Sequence, residues 1–574
     1  MPLPNRAQAI TELAAPGLPH ELQTLVIKGR ALRVFVNAPP TLRALFESTA
    51  SEATFLVFQD ERLSFAQAWA QASRIGALLV QRYGIAPGDR VAISMRNYPE
   101  WVLAFMAITS IGGIAVAMNS MWQPDEMAYG LNDSGAKVLF ADAERIERLG
   151  RARERPAVQV IAVRTAADTD DAPRLSTLLA SFDKAGNAGG ADGVPMPVQA
   201  PSRDDPATLF YTSGSTGHPK GVLSSHRAIL SSLFSWELDG LAALRMDGLE
   251  PPPPPARQPG TLLGVPLFHV TGSHAVFLMS YRLQRKLVCM HKWDVDEGAR
   301  LIQTERLTSF IAPAAMTGDL VRLSREGRYD LSSLISVGGG GAPRAPEQVA
   351  QIGKSFGQAL PGTGWGMTET NAIGCGINGK EYLERPASSG RCSAVMELKV
   401  IDDAGRSLPS GERGELMVRG TAMFEGYWNR PEVNAEMIDA EGWFRTGDIA
   451  YLDEEGYVFI VDRSKDLIIR GGENIGCGAV EAAMLEHPKV HEVAVYAVPD
   501  ERLGEEVGAT LHGAPDLDLE ELRSFLSARL ARFEVPRYIV TSPQPLPRTP
   551  SGKILKRELR DLAVQQWLPE RPAT

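Results

Sequence analysis

The chain has 574 residues, 44% hydrophobic and 22% charged, with 59 basic against 69 acidic side chains and a net charge of -10. That length exceeds one ordinary core and implies two or more domains, and the acidic balance argues against a nucleic-acid partner while leaving room for a local basic site toward a phosphorylated cofactor. Cys289, Cys375, Cys392 and Cys477 form no CxxC pair or zinc-type cluster, and the N-terminus "MPLPNRAQAITELAAPGLPHEL" has no apolar core of a secretory signal, so a reduced cytoplasmic compartment is expected.

In chain order, "LSFAQAWAQASRIGALLVQRYG" has helical spacing, with Ser64 as N-cap and Gly84 at its end. "DRVAISM" follows as a buried strand. The segment Trp101 to Trp122 carries no charge over 22 residues, and a membrane span needs about 20 apolar residues. Gly112-Gly113 interrupts it, so it reads as helix, turn and a short strand, Ile114–Ala117, with no transmembrane segment. "QPDEMAYGLNDSG" and "AKVLFAD" repeat helix and strand, the alternation of a layered, largely parallel sheet. Low-complexity stretches from Lys184 and from Pro251 read as a surface linker and a stiff polyproline-like loop.

The stretch "YTSGSTGHPKGV", Tyr211 to Val222, follows the apolar run "ATLFY" and precedes the strand-like "VLSSH". Glycines let backbone amides converge on an anion without interference from Cβ atoms. Ser213, Ser215 and Thr216 add hydroxyls, and Lys220 adds charge. The P-loop spacing of nucleoside triphosphatases fails, because Pro219 separates His218 from Lys220 and no Ser or Thr follows the Lys. A phosphate-binding loop of another kind is expected.

From about Leu398 the texture becomes strands joined by the tight turns "DDAG" and "DEEG". Beyond Lys465 a small unit follows: helix "GAVEAAMLEHP", strand "VHEVAVYAVPD", helix "DLEELRSFLSARL" and the basic tail helix "KILKRELRDLAVQQWL". The expected fold class is α/β. A large N-terminal domain, residues 1–461, combines layered α/β subdomains with a β-rich one. A hinge at 462–466 joins it to a small mobile α+β domain, 467–574.

Six segments together resemble the signatures of the adenylate-forming superfamily, which holds acyl-CoA synthetases, amino-acid adenylation domains and beetle luciferases. They are the Gly-rich loop, "GGGGAPR" (338–344), "GWGMTET" (364–370), "WFRTGDIAY" (443–451), "VDRSKDLIIRGGENI" (461–475) and "PRTPSGKILKREL" (547–559). They keep the family's order and span about residues 50 to 560. The pattern is most like a medium- or long-chain fatty acyl-CoA ligase.

The resemblance implies an ATP site. Thr212, Ser213, Gly214, Ser215, Thr216, Gly217 and Lys220 clamp the β- and γ-phosphates. Trp365, between Gly364 and Gly366, stacks on adenine, with Gly341, Ala342 and Pro343 as the other wall. Met367 lies between the stacking residue and Thr368, which bonds the α-phosphate. Glu369, with Thr216, holds Mg²⁺, a cation that prefers carboxylate and phosphate oxygens. Asp448 accepts both ribose hydroxyls, since a carboxylate offers two acceptor oxygens, and Arg463 touches the ribose. Lys553 bridges the reacting carboxylate and α-phosphate, and Lys556 and Arg557 are surface residues. Lys465 is the hinge residue, and Gly471, Gly472 and Glu473 pass the pantetheine arm of coenzyme A.

The same resemblance implies that His269, Gly340 and Gly364 line the acyl pocket. Amino-acid-adenylating members carry an Asp after the Phe of "VPLFHVTG", where this chain has His269, so no carboxylate offsets a substrate amine. The Gly-rich walls at 338–341 and 362–366 remove side chains and imply room for a medium or long acyl chain or a bulky aryl or ring acid. "Gly476-Cys477-Gly478-Ala479" departs from the usual pattern and implies a looser helix start on the thioester side. The implied partners are a small-molecule carboxylic acid and CoA, with a carrier protein as the alternative acceptor and a homodimer left open.

Overall fold

The computed structural model describes residues 3–184, 193–199, 201–212, 218–251, 253, 255–340, 346–463, 467–470, 473–500, 502–549 and 552–567. One sheet has seven strands, in the order Gly426–Tyr427, Lys220–Ser225, Pro206–Thr212, Ile114–Ala117, Arg90–Ser94, Val138–Asp142, Gln159–Val163. From Pro206–Thr212 outward every pairing is parallel, and these strands are apolar and buried on both faces. The helix Phe65–Tyr83 begins where the sequence places it. Ser64 caps it, in a capping box with Gln67, and Gly84 ends it at φ 62°.

The uncharged Trp101–Trp122 stretch folds as the helix Pro99–Ser110, a turn with Gly112 at φ 77°, and the buried strand Ile114–Ala117. Among the described residues no helix is long and apolar enough to cross a membrane.

The strand-rich region after Leu398 belongs to the second sheet, where one hydrogen-bonded path of 13 strands joins it to a parallel α/β half. The parallel half includes Gly260–Leu263, Ser309–Ile311, Ser336–Gly339 and Leu360–Trp365. Cys375–Asn378 then pairs antiparallel with Leu360–Trp365 and hands on to Gly390–Cys392 and Tyr457–Arg463. The seam requires a glycine. Gly390 has φ 97°, and a Cβ there would lie 2.1 Å from the Gly376 carbonyl oxygen.

The core between the sheets is aromatic. Phe277 lies 5.6 Å from Phe105, 6.2 Å from Phe55 and 6.4 Å from Phe46, and the Tyr281 hydroxyl donates to the Phe46 carbonyl at 2.8 Å. The small C-terminal domain has its own five-stranded sheet, built on Val490–Asp500 against Gly504–Gly513. It also has its own core, with Ile468, Val480, Val495, Leu511 and Leu526.

Phe277 is fully buried. Phe277→Ala therefore destabilises the large domain by about 3–5 kcal/mol, read as a lower urea midpoint, and Phe277→Leu loses much less. An unchanged midpoint for the alanine variant contradicts this packing.

Candidate active site

A cavity of about 1910 Å³ opens at the carboxyl ends of the parallel strands. Val265 and His269 follow Gly260–Leu263, Pro313 follows Ser309–Ile311, Gly340 follows Ser336–Gly339, and Gly366 follows Leu360–Trp365; all five line it. Open α/β sheets bind ligands at this edge, where successive loops diverge.

At one side, Pro206–Thr212 and Lys220–Ser225 form a hairpin in which Thr212 faces Lys220. Both line the cavity. The residues between them that the sequence reading assigns to phosphates, Ser213 to Gly217, lie outside the described residues. Lys220 Nζ stands 5.1 Å over the Tyr427 ring. The Tyr427 hydroxyl donates to Glu369 Oε1 at 2.7 Å, and the Phe424 amide donates to the Glu369 carbonyl at 2.8 Å. Glu369 sits in the single 3₁₀ turn Thr368–Thr370 and is 5% exposed. One aromatic ring thus links the expected phosphate lysine to the expected metal carboxylate by a cation–π contact and a charge-assisted hydrogen bond. Sequence reasoning missed Tyr427. Its only signal is the short strand "GY", which pairs with Val222 and Leu223 just after Lys220.

Trp365 and Asp448, expected at the base and the ribose, are held by each other. The indole N–H donates to Asp448 Oδ2 at 2.7 Å, and Asp448 is 4% exposed. Asp448 also faces Arg463 across two antiparallel strands. The Trp365 ring covers Gly374, where a Cβ would lie 2.5 Å from it. Gly341, Ala342 and Pro343 lie outside the described residues.

The Gly-rich walls need a correction. Gly338 and Gly340 would take a Cβ without a clash, in ordinary contact with neighbours at 3.4 Å and 3.8 Å. Gly362, Gly364 and Gly366 are glycine for a different reason. An added Cβ would meet Asn378 Oδ1 at 2.5 Å, the Cys375 carbonyl oxygen at 2.6 Å and the Ala372 carbonyl oxygen at 2.4 Å. Gly362 makes room for the Asn378 side chain, and Gly364 and Gly366 let neighbouring backbone approach closely, while all three line the cavity.

His269 lines the cavity, with its Nε2 shielded from solvent and bonded to no described residue. Burial, then the positive charge of Lys553, pushes its pKa down to about 4, so the ring is neutral at pH 7. Lys553 lines the same cavity from the small domain. Its turn is closed by the Thr549 amide on the Lys553 carbonyl at 2.7 Å and the Gly552 amide on Thr549 at 2.8 Å. Gly552, at φ 82°, lies against Pro313 of the large domain, 3.6 Å from an added Cβ.

On the thiol side, Lys465, Gly471 and Gly472 lie outside the described residues, and Glu473 begins a strand paired with Leu467–Arg470. The helix Cys477–Leu485 does start without a side-chain cap, at Gly476. Cys477 and Val480 nevertheless pack into the small domain's core and anchor that first turn. Lys556, expected as a solvated surface lysine, instead pairs with Glu481 at 2.8 Å and ties the tail helix to this one.

The chain belongs to the AMP-binding enzyme family: residues 44–428 match AMP-binding enzyme, and residues 479–553 match the AMP-binding enzyme C-terminal domain. It is 31% identical over 521 residues to a 4-coumarate–CoA ligase of Vanilla planifolia, covering 89% of this chain and 90% of the relative. It is 31% identical over 546 residues to the long-chain-fatty-acid–CoA ligase FadD13 of Mycobacterium tuberculosis, covering 93% and 98%. Among solved structures, the o-succinylbenzoate CoA synthetase of Bacillus subtilis, in complex with its acyl-adenylate intermediate, superposes with TM-score 0.74 at 27% identity, covering 91% and 98%. The anthranilate CoA ligase AuaEII shares the fold with TM-score 0.81 at 23% identity, covering 92% and 98%. The enzyme is an AMP-forming acid–thiol ligase.

Three buried imidazoles generate a pH dependence. Burial pushes His226 and His274, like His269, down to about 4. An unfolded histidine takes up its proton near its ordinary pKa, about 6.5, so between there and pH 4 the unfolded state binds more protons. The stability is fully present above about pH 6.5 and falls, on the order of several kcal/mol in total, as pH drops to 4. Urea titrations across that range check it. His226→Gln makes the slope shallower, and a stability independent of pH between 6.5 and 4 contradicts the assignment.

Proposed function

We propose that the chain is an ATP-dependent carboxylic acid–CoA ligase working in two half-reactions. In the first, a carboxylate oxygen bonds to the α-phosphorus of ATP, the bond from that phosphorus to the bridging oxygen breaks, and pyrophosphate leaves. In the second, the CoA thiol gives up its proton, its sulfur bonds to the acyl carbon, and AMP leaves. The observation that carries this reading is Lys553, a cation from the small domain in the same cavity as His269, Thr368, Glu369 and Lys220.

Each role follows from chemistry. Lys553 draws the two anions together and stabilises the charge that develops between them. Neutral His269 lets an uncharged acyl group lie beside it without a second cation. Lys220, with the loop 213–217, holds the phosphates that leave. Thr368 bonds the α-phosphate, Trp365 and residues 341–343 flank the base, and Asp448 with Arg463 holds the ribose.

Glu369, a buried carboxylate opening on the cavity, fits Mg²⁺, which takes one or two carboxylates plus substrate phosphates. The ion, shared with Thr216, supplies charge neutralisation at the phosphates. Gly471, Gly472 and Glu473 pass the pantetheine arm, and a hinge at 462–466, with Lys465 at its centre, turns the small domain 467–574 against residues 1–461 between the two steps. The cavity's size, and relatives named for an aryl and a long-chain acid, support a medium or long acyl chain or a bulky aryl or ring acid.

Lys553→Ala separates the half-reactions. Acid-dependent pyrophosphate release falls by about 10²–10³, the scale of losing one transition-state charge stabiliser. Thioester formation from supplied acyl-adenylate and CoA stays largely intact. Equal loss in both assays contradicts the two-pose mechanism.

A further inference from the structure

Two helices wall one arm of the cavity. From His226–Met246 come Trp236, Asp239 and Gly240, spaced as one helical face; from the helical run Thr271–Arg282 come Thr271, Ala275 and Met279, four residues apart. Arg282 clamps the helices together, with Nε 2.8 Å from Glu237 Oε1 and its guanidinium 4.6 Å over the Phe234 ring. The wall is completed by Arg285, just past the second helix.

The backbone at Arg285 is fixed. Its amide donates to the Ser280 carbonyl at 2.8 Å. The preceding Gln284 is held at φ 52°, a left-handed conformation that a non-glycine residue adopts only when its surroundings impose it. Gln284 Nε2 donates to Thr49 O at 3.0 Å and Tyr281 O at 3.1 Å, and Ser51 donates to its Oε1 at 2.5 Å. The following Lys286 is taken up by Glu305 at 2.6 Å.

The Arg285 guanidinium, by contrast, bonds to no described residue, although burial disfavours its charge. The opposite charge that bears on it is Glu237, already bonded by Arg282 and by His20 at 3.2 Å. The other acid on this wall, Asp239, is taken by Arg6 at 2.6 Å and Ser393 at 2.8 Å. A guanidinium stays protonated and carries five N–H donors in a planar fork that matches a carboxylate. Left unpaired on a wall that Met279 and Trp236 also line, it opposes any substrate tail that would strip its water without replacing it.

We propose that Arg285 is the docking point for a second carboxylate on the acid, making this ligase selective for substrates that carry an anionic group remote from the carboxylate that reacts. The proposal rests on the ligase reading. His269 and Arg285 lie beyond opposite ends of the helical run Thr271–Arg282, so the two carboxylates are well separated.

The test is ATP–pyrophosphate exchange with matched pairs: octanoic, dodecanoic and hexadecanoic acids against their α,ω-dioic counterparts, and 3-phenylpropanoic acid against its para-carboxy analogue. In the native enzyme the best dicarboxylic acid exceeds its monoacid partner by about 30-fold or more in kcat/KM, the scale of a desolvated charge pair. Arg285→Met, similar in length and uncharged, loses that factor on the diacid and keeps or gains activity on the monoacid, which also shows that the variant folds. Native preference for the monoacids, or equal loss on both members of a pair in Arg285→Met, overturns the proposal and leaves the ligase reading standing. Exchange with neither class of acid removes the ligase reading, and the proposal with it.

Discussion

Lys553 and His269 share one cavity, and they can do so because the imidazole is neutral. A protonated ring would add a second positive charge to the one Lys553 brings to this cavity, and like charges repel. Burial and the lysine both push the histidine toward its neutral form. The histidine therefore adds no second positive charge to the one Lys553 brings to the cavity. The lysine's place depends in turn on a turn closed at Thr549 and seated on Pro313, the point where the small domain meets the large one at this site.

Polar groups at and near the cavity are held in chains of contacts. Lys220 lies over Tyr427, Tyr427 bonds Glu369, and Trp365 bonds Asp448. Glu369 and Asp448 each accept a hydrogen bond from a neutral donor, a phenol in one case and an indole in the other. Further along the wall the N-terminal segment, which lies ahead of the family match, takes over this work. Arg6 pairs with Asp239, and His20 bonds Glu237 beside the tilted rings of Phe35 and Phe234. Arg285 is the exception to that pairing.

Much of this was legible in the sequence where local rules act alone. Ser64 and Gly84 delimit their helix because a cap and a left-handed terminator are local devices. Gly112 splits the uncharged stretch into helix and strand because its φ must be positive. The cavity wall was legible in outline, since His269, Gly340, Thr368, Glu369, Lys220 and Lys553 all face it. What escaped depends on contacts distant in the chain. Tyr427 meets Glu369 across 58 residues, and no spacing rule links them. The continuous second sheet depends on Gly390 approaching Gly376, and the glycines at 362, 364 and 366 looked like cavity space while also answering to the chain at 372–378 beside them. Lys556 looked solvated because Glu481, its partner, lies on another helix.

The central claim is that one cavity, charged by Lys553, activates a carboxylic acid with ATP and passes it to a thiol. The most direct measurement follows pyrophosphate, AMP and thioester together over a panel of fatty, aryl-alkanoic and ring-bearing acids, with and without CoA. The account predicts acid-dependent pyrophosphate release and, with CoA present, AMP and acyl-CoA in equal amounts. No pyrophosphate from any acid, or pyrophosphate without thioester when CoA is supplied, would contradict it.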